Sequence, residues 1–507
     1  MPDFEAGYIT IFLICLISSV LIWNLYKSSG VDSHLPPIPF VLPVIGHLHL
    51  LSRLPHQAFH KLSNRHGPVF RLSLGSTPCI VVSTPETAKD VFKTQDSAFL
   101  DRPINSVVRH LSYEGKGFVF APYGPFWKFG KKIMVTELLN SKTLDFLYPV
   151  REDERNCLIK LLSQKAKEGK SVNLEVELLK LTSNVISRMF MSKRCSEEEG
   201  EAEDIIKIIA DSFKIIGEFN ITDHIWFCKN LDLQGFGKRS KDIHRRFDAL
   251  VERITREHEE ARKQKRGEMK DLLNILLDIS ENENMEIKLT RENIKAILQD
   301  ILAGGTDTSA ITIEWALAEL INRPNVMKKV VEEIDQVVGK NRLLQESDIQ
   351  NLSYLQAIVK ESLRLHPTVP VISRLSTKDC IVGGYHIPAN TTVFINLWSI
   401  GRDPIHWESP LEFKPERFVG SQMDVRGQDF GLLPFGGGRR TCPGISLGLQ
   451  NVHTILGAMI QCFEWKAGKN GDLATVDMEE GAGGTLPRAN HLVCVPVARL
   501  DPIPLPV

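Results

Sequence analysis

The 507-residue chain lacks several things whose absence narrows its chemistry. It has no excess charge: 61 Lys and Arg against 62 Asp and Glu leave a formal net charge of −1, so no whole-protein field attracts nucleic acid. It has no paired CxxC spacing. Its nine cysteines (15, 79, 157, 195, 228, 380, 442, 462 and 494) are scattered and odd in number, which argues against a disulfide framework or a zinc site and for a reducing compartment. No glycine fingerprint for a dinucleotide is present. Length alone would suggest roughly three domains. However, no Gly/Ser or Pro-rich linker divides the chain after residue 46 and no internal repeat is visible, so it reads as one large domain behind an N-terminal appendage. The apolar fraction of 43% suits a sizeable core.

What is present begins with Ile9–Tyr26, an apolar run without a charged residue. Asp3 and Glu5 precede it, Lys27 follows it, and Trp23 and Tyr26 sit near its end. Positive charge on the C-terminal flank predicts a single-pass anchor with the remainder in the cytosol, rather than a cleaved signal. Leu35-Pro36-Pro37-Ile38-Pro39 predicts a stiff extended strap, or a plain linker. The expected organisation is an anchor over 1–27, a proline-rich hinge over 28–46 and a catalytic domain over 47–507. Val69–Leu74 and Cys79–Val82 predict paired strands around Gly75-Ser76. Thr84 and Pro85 predict a helix start. The charged stretches 196–204 and 255–271 predict solvated helix ends or loops. Leu289–Asn322 predicts a long helix capped by Thr290 and stopped at Pro324, and Ile445–Phe463 another. Helix dominates, with small sheets embedded in it.

Three constellations carry chemistry. Phe435-Gly436-Gly437-Gly438-Arg439-Arg440-Thr441-Cys442-Pro443-Gly444 sets one cysteine in a loop almost without side chains. Consecutive glycines imply an unusual backbone path or a near neighbour, and the two arginines favour thiolate over thiol. The loop is either a structural turn with a buried cysteine or the axial-thiolate loop of a haem, with cations for the propionates. Ala303-Gly304-Gly305-Thr306-Asp307-Thr308 lies mid-helix. Its glycines cost about 1 kcal/mol each against alanine, and its hydroxyls can bond back and bend the helix. That predicts a break and a groove with Asp307 and Thr308 as proton donors, or a core helix with a packing glycine pair. Glu361 and Arg364 share a helix face just before His366-Pro367, and Arg417 in Pro415-Glu416-Arg417-Phe418 could join them. Trp127 and Lys131, one turn apart, form an aromatic-plus-cation pair that by itself suits a surface.

Taken together and in order, four motifs (the cysteine loop, the groove helix, Glu361 with Arg364, and Arg417 in its Pro-Glu-Arg-Phe run), with the apolar run and strap, resemble the plant microsomal cytochrome P-450 monooxygenases over essentially the full length. The resemblance implies a mainly α fold with small β-sheets and haem b ligated by Cys442, whose thiolate pushes electron density onto the iron. It implies a proton relay through Thr308 and Asp307, and a structural triad of Glu361, Arg364 and Arg417. It implies Trp127, Lys131, Arg374, Phe435 and Arg440 around the cofactor. Lys131 departs from the usual arginine, giving a point charge for a fork. Ile38 stands for a hinge glycine, and Gly304 for the commoner alanine.

Asp223-His224-Ile225-Trp226, Asp232–Gly237 and Leu486-Pro487-Arg488-Ala489-Asn490 resemble the flavone synthase II and dihydroxypterocarpan hydroxylase group. That implies a small hydrophobic phenolic substrate, a flavonoid or isoflavonoid, hydroxylated or desaturated with O2 and NADPH electrons. The electrons would arrive through NADPH–cytochrome P-450 reductase at the endoplasmic reticulum membrane. The implied pocket includes Ile301, Gly304, Gly305, Val369, Ile372, Thr485 and Leu486. A triterpenoid hydroxylase of the same family is the alternative, but in that branch the hydroxyl-bearing part of the groove motif is altered, whereas Thr308-Ser309 is intact here. A reductase-independent haem isomerase or dehydratase, and a membrane-anchored haem carrier, are the other readings.

Overall fold

The computed structural model describes residues 11–12, 14–19, 34–194, 201–229, 231–264 and 271–505. The chain forms two compact units: residues 1–103, 220–234 and 371–399, and residues 104–219, 235–370 and 400–507.

In the first unit, Val69–Leu74 and Thr77–Val82 pair antiparallel, Val69 opposite Val82, around Gly75, whose φ is +56°. Thr77–Val82 also pairs parallel with Thr392–Asn396, which is antiparallel to Val371–Leu375, completing a four-stranded sheet. Phe59 and Leu62 of the helix Pro55–His66 pack on its inward residues Phe70, Leu72, Leu74 and Val81. Thr84 caps Pro85–Lys89 in a reciprocal box with Thr87, as its sequence predicts. The proline strap docks along the sheet edge, where the Pro37 carbonyl accepts the Arg71 N–H at 2.9 Å and the Pro39 carbonyl lies 3.1 Å from His47 Nε2. The short helix Ile221–His224 is held by its His224 carbonyl, which accepts the Ser76 N–H at 2.9 Å. Beyond it, Trp226, Phe227, Leu231 and Leu233 are exposed. Most of the run Ile9–Tyr26 lies outside the described residues, and among those described no helix is long and apolar enough to cross a membrane.

The second unit is organised around the helix Arg291–Ile321. Thr290 caps it with Asn293 in a reciprocal box, and Pro324 opens the next helix. From Ser309 to Leu320 every residue is buried, the pattern of a helix enclosed on all sides. Against it lie the helices Leu174–Met191, Phe236–Lys263, Ser353–Leu365 and Ile445–Cys462. A sheet of Val172–Asn173, Val493–Ala498 and Phe463–Ala467 closes one side. The helix Glu201–Gly217 ends where a Cβ on Gly217 would fall 2.2 Å from the backbone of Gly483 and Gly484, so only glycine fits there.

One expectation changes. The long helix runs unbroken through Gly304-Gly305. The Thr308 hydroxyl does bond back to the Gly304 carbonyl at 2.8 Å, yet burial on both sides of this turn keeps the ladder intact. Gly305 serves close packing, since a Cβ would meet Ile186 Cδ1 at 2.6 Å. The charged stretch from residue 255 is, as expected, a helix end: residues 255–263 close the helix Phe236–Lys263, whose acids Glu252 and Glu259 bind Arg291 at 2.9 and 2.6 Å, and residues 265–270 lie outside the described residues. No disulfide links the described cysteines.

Candidate active site

The cysteine loop takes the unusual path its glycines predict: Gly436 and Gly438 have φ of +73° and +68°, in the left-handed region. The path brings Cys442 back on Phe435, whose carbonyl accepts the Cys442 N–H at 3.1 Å. Cys442 Sγ in turn accepts the Gly444 N–H at 3.3 Å, a bond that strengthens with negative charge on sulfur. A Cβ on Gly444 would sit 3.7 Å from that sulfur.

Trp127 and Lys131 lie on Pro125–Ile133, but they do not pair with each other. Trp127 is buried and carries the Arg440 guanidinium over its ring at 5.0 Å. Lys131 lies over Phe118 at 5.7 Å and donates to the Thr441 carbonyl at 2.8 Å. Burial pulls the Lys131 ammonium below its ordinary pKa, and the charge of Cys442 pushes back. Arg440 donates to the Val119 and Ala121 carbonyls at 3.2 and 2.6 Å. Asp300, on the long helix, takes the Phe118 and Val119 N–H groups at 2.6 and 2.8 Å. The 117–121 loop is thus tied both to the cysteine loop and to the long helix. Nothing marks Asp300 in the sequence beyond its being an acid within an apolar helix.

On that helix Ile301 is buried, whereas Gly304 is exposed in the middle of the span and a Cβ there would meet nothing within 4 Å. Asp307 accepts the Thr485 hydroxyl at 2.6 Å. Burial pushes the Asp307 carboxyl up to about 6; the Thr485 bond opposes this and the charge of Glu175 adds to it. Leu486 is fully buried, its N–H on the Thr368 carbonyl at 2.8 Å and its carbonyl on Trp315 Nε1 at 2.9 Å. Thr312 meets Thr368 at 3.0 Å, beside the half-buried Val369. Trp315 also stacks on His366, centroids 4.0 Å apart, and His366 Nε2 lies 2.7 Å from Glu319. Glu314, Trp315 and Glu319 belong to none of the sequence motifs, although charged side chains inside the apolar stretch 309–320 are a usable signal. Ile372 and the buried Arg374 stand on Val371–Leu375 in the first unit, where Arg374 lies over Phe92 at 5.4 Å.

Glu361 and Arg364 are fully buried. Arg364 grips Glu361 through two bonds of 2.7 and 2.8 Å, and its remaining N–H groups reach the carbonyls of Gly401, Pro410 and Glu412. Arg417 adds a bond to Glu361 at 3.1 Å, and the Lys414 N–H another at 2.8 Å. Every polar edge of the pair is used, the condition for burying it.

A thiol loop that donates to its own sulfur, flanking cations and open space beside a helical glycine fit a haem with an axial thiolate. The chain matches the family described as Cytochrome P450 over residues 36–495. It belongs to the cytochrome P450 family, and it is a monooxygenase using haem with electrons from NADPH delivered through a reductase. Among its relatives, the soybean (Glycine max) protein named 3,9-dihydroxypterocarpan 6A-monooxygenase is 49% identical over 506 residues, covering 97% of this chain and 99% of that one. The Glycyrrhiza uralensis protein named 2-hydroxyisoflavanone synthase is 44% identical, covering 92% of each. A zebra fish cytochrome P450 solved with abiraterone superposes with a TM-score of 0.74 at 26% identity, over 88% of this chain and all of that one.

Proposed function

We propose that the enzyme hydroxylates or desaturates a flavonoid or isoflavonoid while anchored by residues 1–27 in the endoplasmic reticulum membrane, with residues 28–46 as hinge and 47–507 as the cytosolic catalytic domain. The near full-length kinship with a pterocarpan monooxygenase carries the substrate class. The apolar run, together with the exposed Trp226, Phe227, Leu231 and Leu233, supports the membrane. A soybean relative named beta-amyrin 24-hydroxylase, 43% identical over 98% of the chain, supports a triterpene as the second reading.

In this reading Cys442 holds the haem iron, and Trp127, Lys131, Arg374, Phe435 and Arg440 surround the porphyrin. When bound, the haem supplies reductive activation of O2. Ile301, Gly304, Gly305, Val369, Ile372, Thr485 and Leu486 shape the space for substrate, with Gly304 leaving room for a flat phenolic ring. Thr308 presents its hydroxyl, and the Asp307 carboxyl, held by Thr485, stores the proton that the hydroxyl hands on. Glu361, Arg364 and Arg417 keep the framework fixed.

Two measurements test this. In a spectral titration of purified enzyme against flavanones, flavones, pterocarpans and triterpenes, flavanone-derived compounds alone should shift the haem band; a shift by triterpenes alone would replace the substrate class. Thr308→Ala should lower product per NADPH severalfold while peroxide rises, and unchanged coupling would remove the role given to that hydroxyl.

A further inference from the structure

Thr485 and Leu486 belong to residues 481–487, a segment that forms no strand. Its glycines at 481, 483 and 484 give it no rigidity of its own, and its buried backbone groups need partners from elsewhere. Leu486 finds two. Its N–H donates to the Thr368 carbonyl at 2.8 Å, and its carbonyl accepts the Trp315 Nε1–H at 2.9 Å. Trp315 and Leu486 are both fully buried. A buried indole N–H needs an acceptor, and Trp315 takes its own from this irregular segment instead of from a neighbouring helix. The indole is itself fixed in place. The His366 ring stacks on it with centroids 4.0 Å apart. The Arg488 guanidinium lies over it at 5.1 Å while donating to the Asp477 carbonyl at 2.6 Å. Trp315 stands eight residues beyond Asp307 on the long helix, about 12 Å along its axis, and is not among the residues that shape the substrate space.

We propose that Trp315 is a positioning residue for the substrate: by holding the Leu486 carbonyl it fixes where Gly484 and Thr485 stand, and so how a ring bound beside them is turned. Thr485 precedes the tether by one residue and is tied to Asp307 at 2.6 Å. Gly484 precedes it by two, with its N–H on the Phe213 carbonyl at 3.4 Å. Removing the indole N–H takes this donor from a buried carbonyl, a cost the segment relieves by shifting toward water. The glycines before Thr485 offer no resistance to that shift. The proposal rests on Thr485 and Leu486 shaping the substrate space.

Purified holoenzyme carrying Trp315→Phe tests this, since phenylalanine keeps a ring beside His366 and Arg488 but has no donor. Asn322→Ala serves as the structural control. Asn322 ends the same helix and exchanges two bonds of 2.9 Å with Val476, so its loss loosens the C-terminal region away from Leu486. The first readout needs no turnover: amide hydrogen exchange at residues 484–488 should quicken severalfold in Trp315→Phe and stay as in wild type in Asn322→Ala. The second is spectral titration with 3,9-dihydroxypterocarpan, the compound in the soybean relative's name, and with phenylimidazole against plain imidazole. Trp315→Phe should raise the dissociation constants of the two bulky ligands severalfold and leave that of imidazole, too small to reach the segment, unchanged. Turnover of the pterocarpan should then give more than one product position. Arg488→Lys, which keeps a charge over the ring but gives up the second arm to Asp477, should show the same pattern more weakly, and it decides the question if Trp315→Phe does not hold haem. If Trp315→Phe behaves like Asn322→Ala, with a lower thermal midpoint but wild-type exchange and dissociation constants, the proposal is overturned. Faster exchange with wild-type binding of both bulky ligands overturns it as well. If the pterocarpan shifts no haem band in wild type, the substrate class fails instead, and the ratio of phenylimidazole to imidazole binding alone decides the role of Trp315.

Discussion

Replacing Cys442 by alanine is expected to reduce NADPH-dependent product to background and to remove the thiolate signature from the spectrum of the reduced, carbon monoxide-treated protein. Cys442 differs from other cysteines of the chain in its surroundings. Burial pushes Cys79, Cys462 and Cys494 up to about 12, so these are inert thiols that fill space. The Cys442 sulfur instead takes a backbone N–H from Gly444 and lies within reach of the Lys131 charge. Alanine at Cys494 should therefore cost stability, typically about 1 kcal/mol, and leave the spectrum unchanged. Thiolate-type absorption or product surviving in Cys442→Ala would remove the ligand assignment.

Glu361→Ala is expected to be the most damaging substitution outside the haem site. It would leave the buried Arg364 without its carboxylate and Arg417 without its inward partner, a loss of about 3–5 kcal/mol for a broken buried pair. Arg417→Ala should cost less, because Arg364 keeps both bonds to Glu361 and the Arg417 side chain is already 10% exposed. Thermal midpoints at one fixed scan rate, with haem retention followed in parallel, check the order. Equal losses in the two variants would mean that Arg417, and not the Glu361–Arg364 bond, carries the cluster.

The local signals in the sequence were the readable ones. Thr84 and Thr290 each had a capping partner three residues on, and the alternation around Gly75 left one register for the hairpin. The Glu361–Arg364 spacing puts both on one face, and Leu363 and Leu365 beside them signal burial. Long-range pairings were not readable. Nothing in the sequence says that Arg440 rather than Lys131 covers Trp127, because that depends on the return path of the glycine loop. Nothing says that Thr485 reaches Asp307 across 178 residues of chain. The helix cost of the glycine pair carries no information about Ile186, whose contact explains Gly305.

The cluster around Arg364 bears also on the order in which the chain assembles. The stretch from Gly401 to Phe418 has little regular structure, and Arg364 collects its carbonyls in place of a sheet. Glu361 and Arg364 are three residues apart and can meet as soon as their helix forms. During synthesis that helix emerges first, already bearing the charged pair as a template. A segment with almost no propensity of its own thus takes its final path from a side chain 37 to 48 residues earlier in the chain.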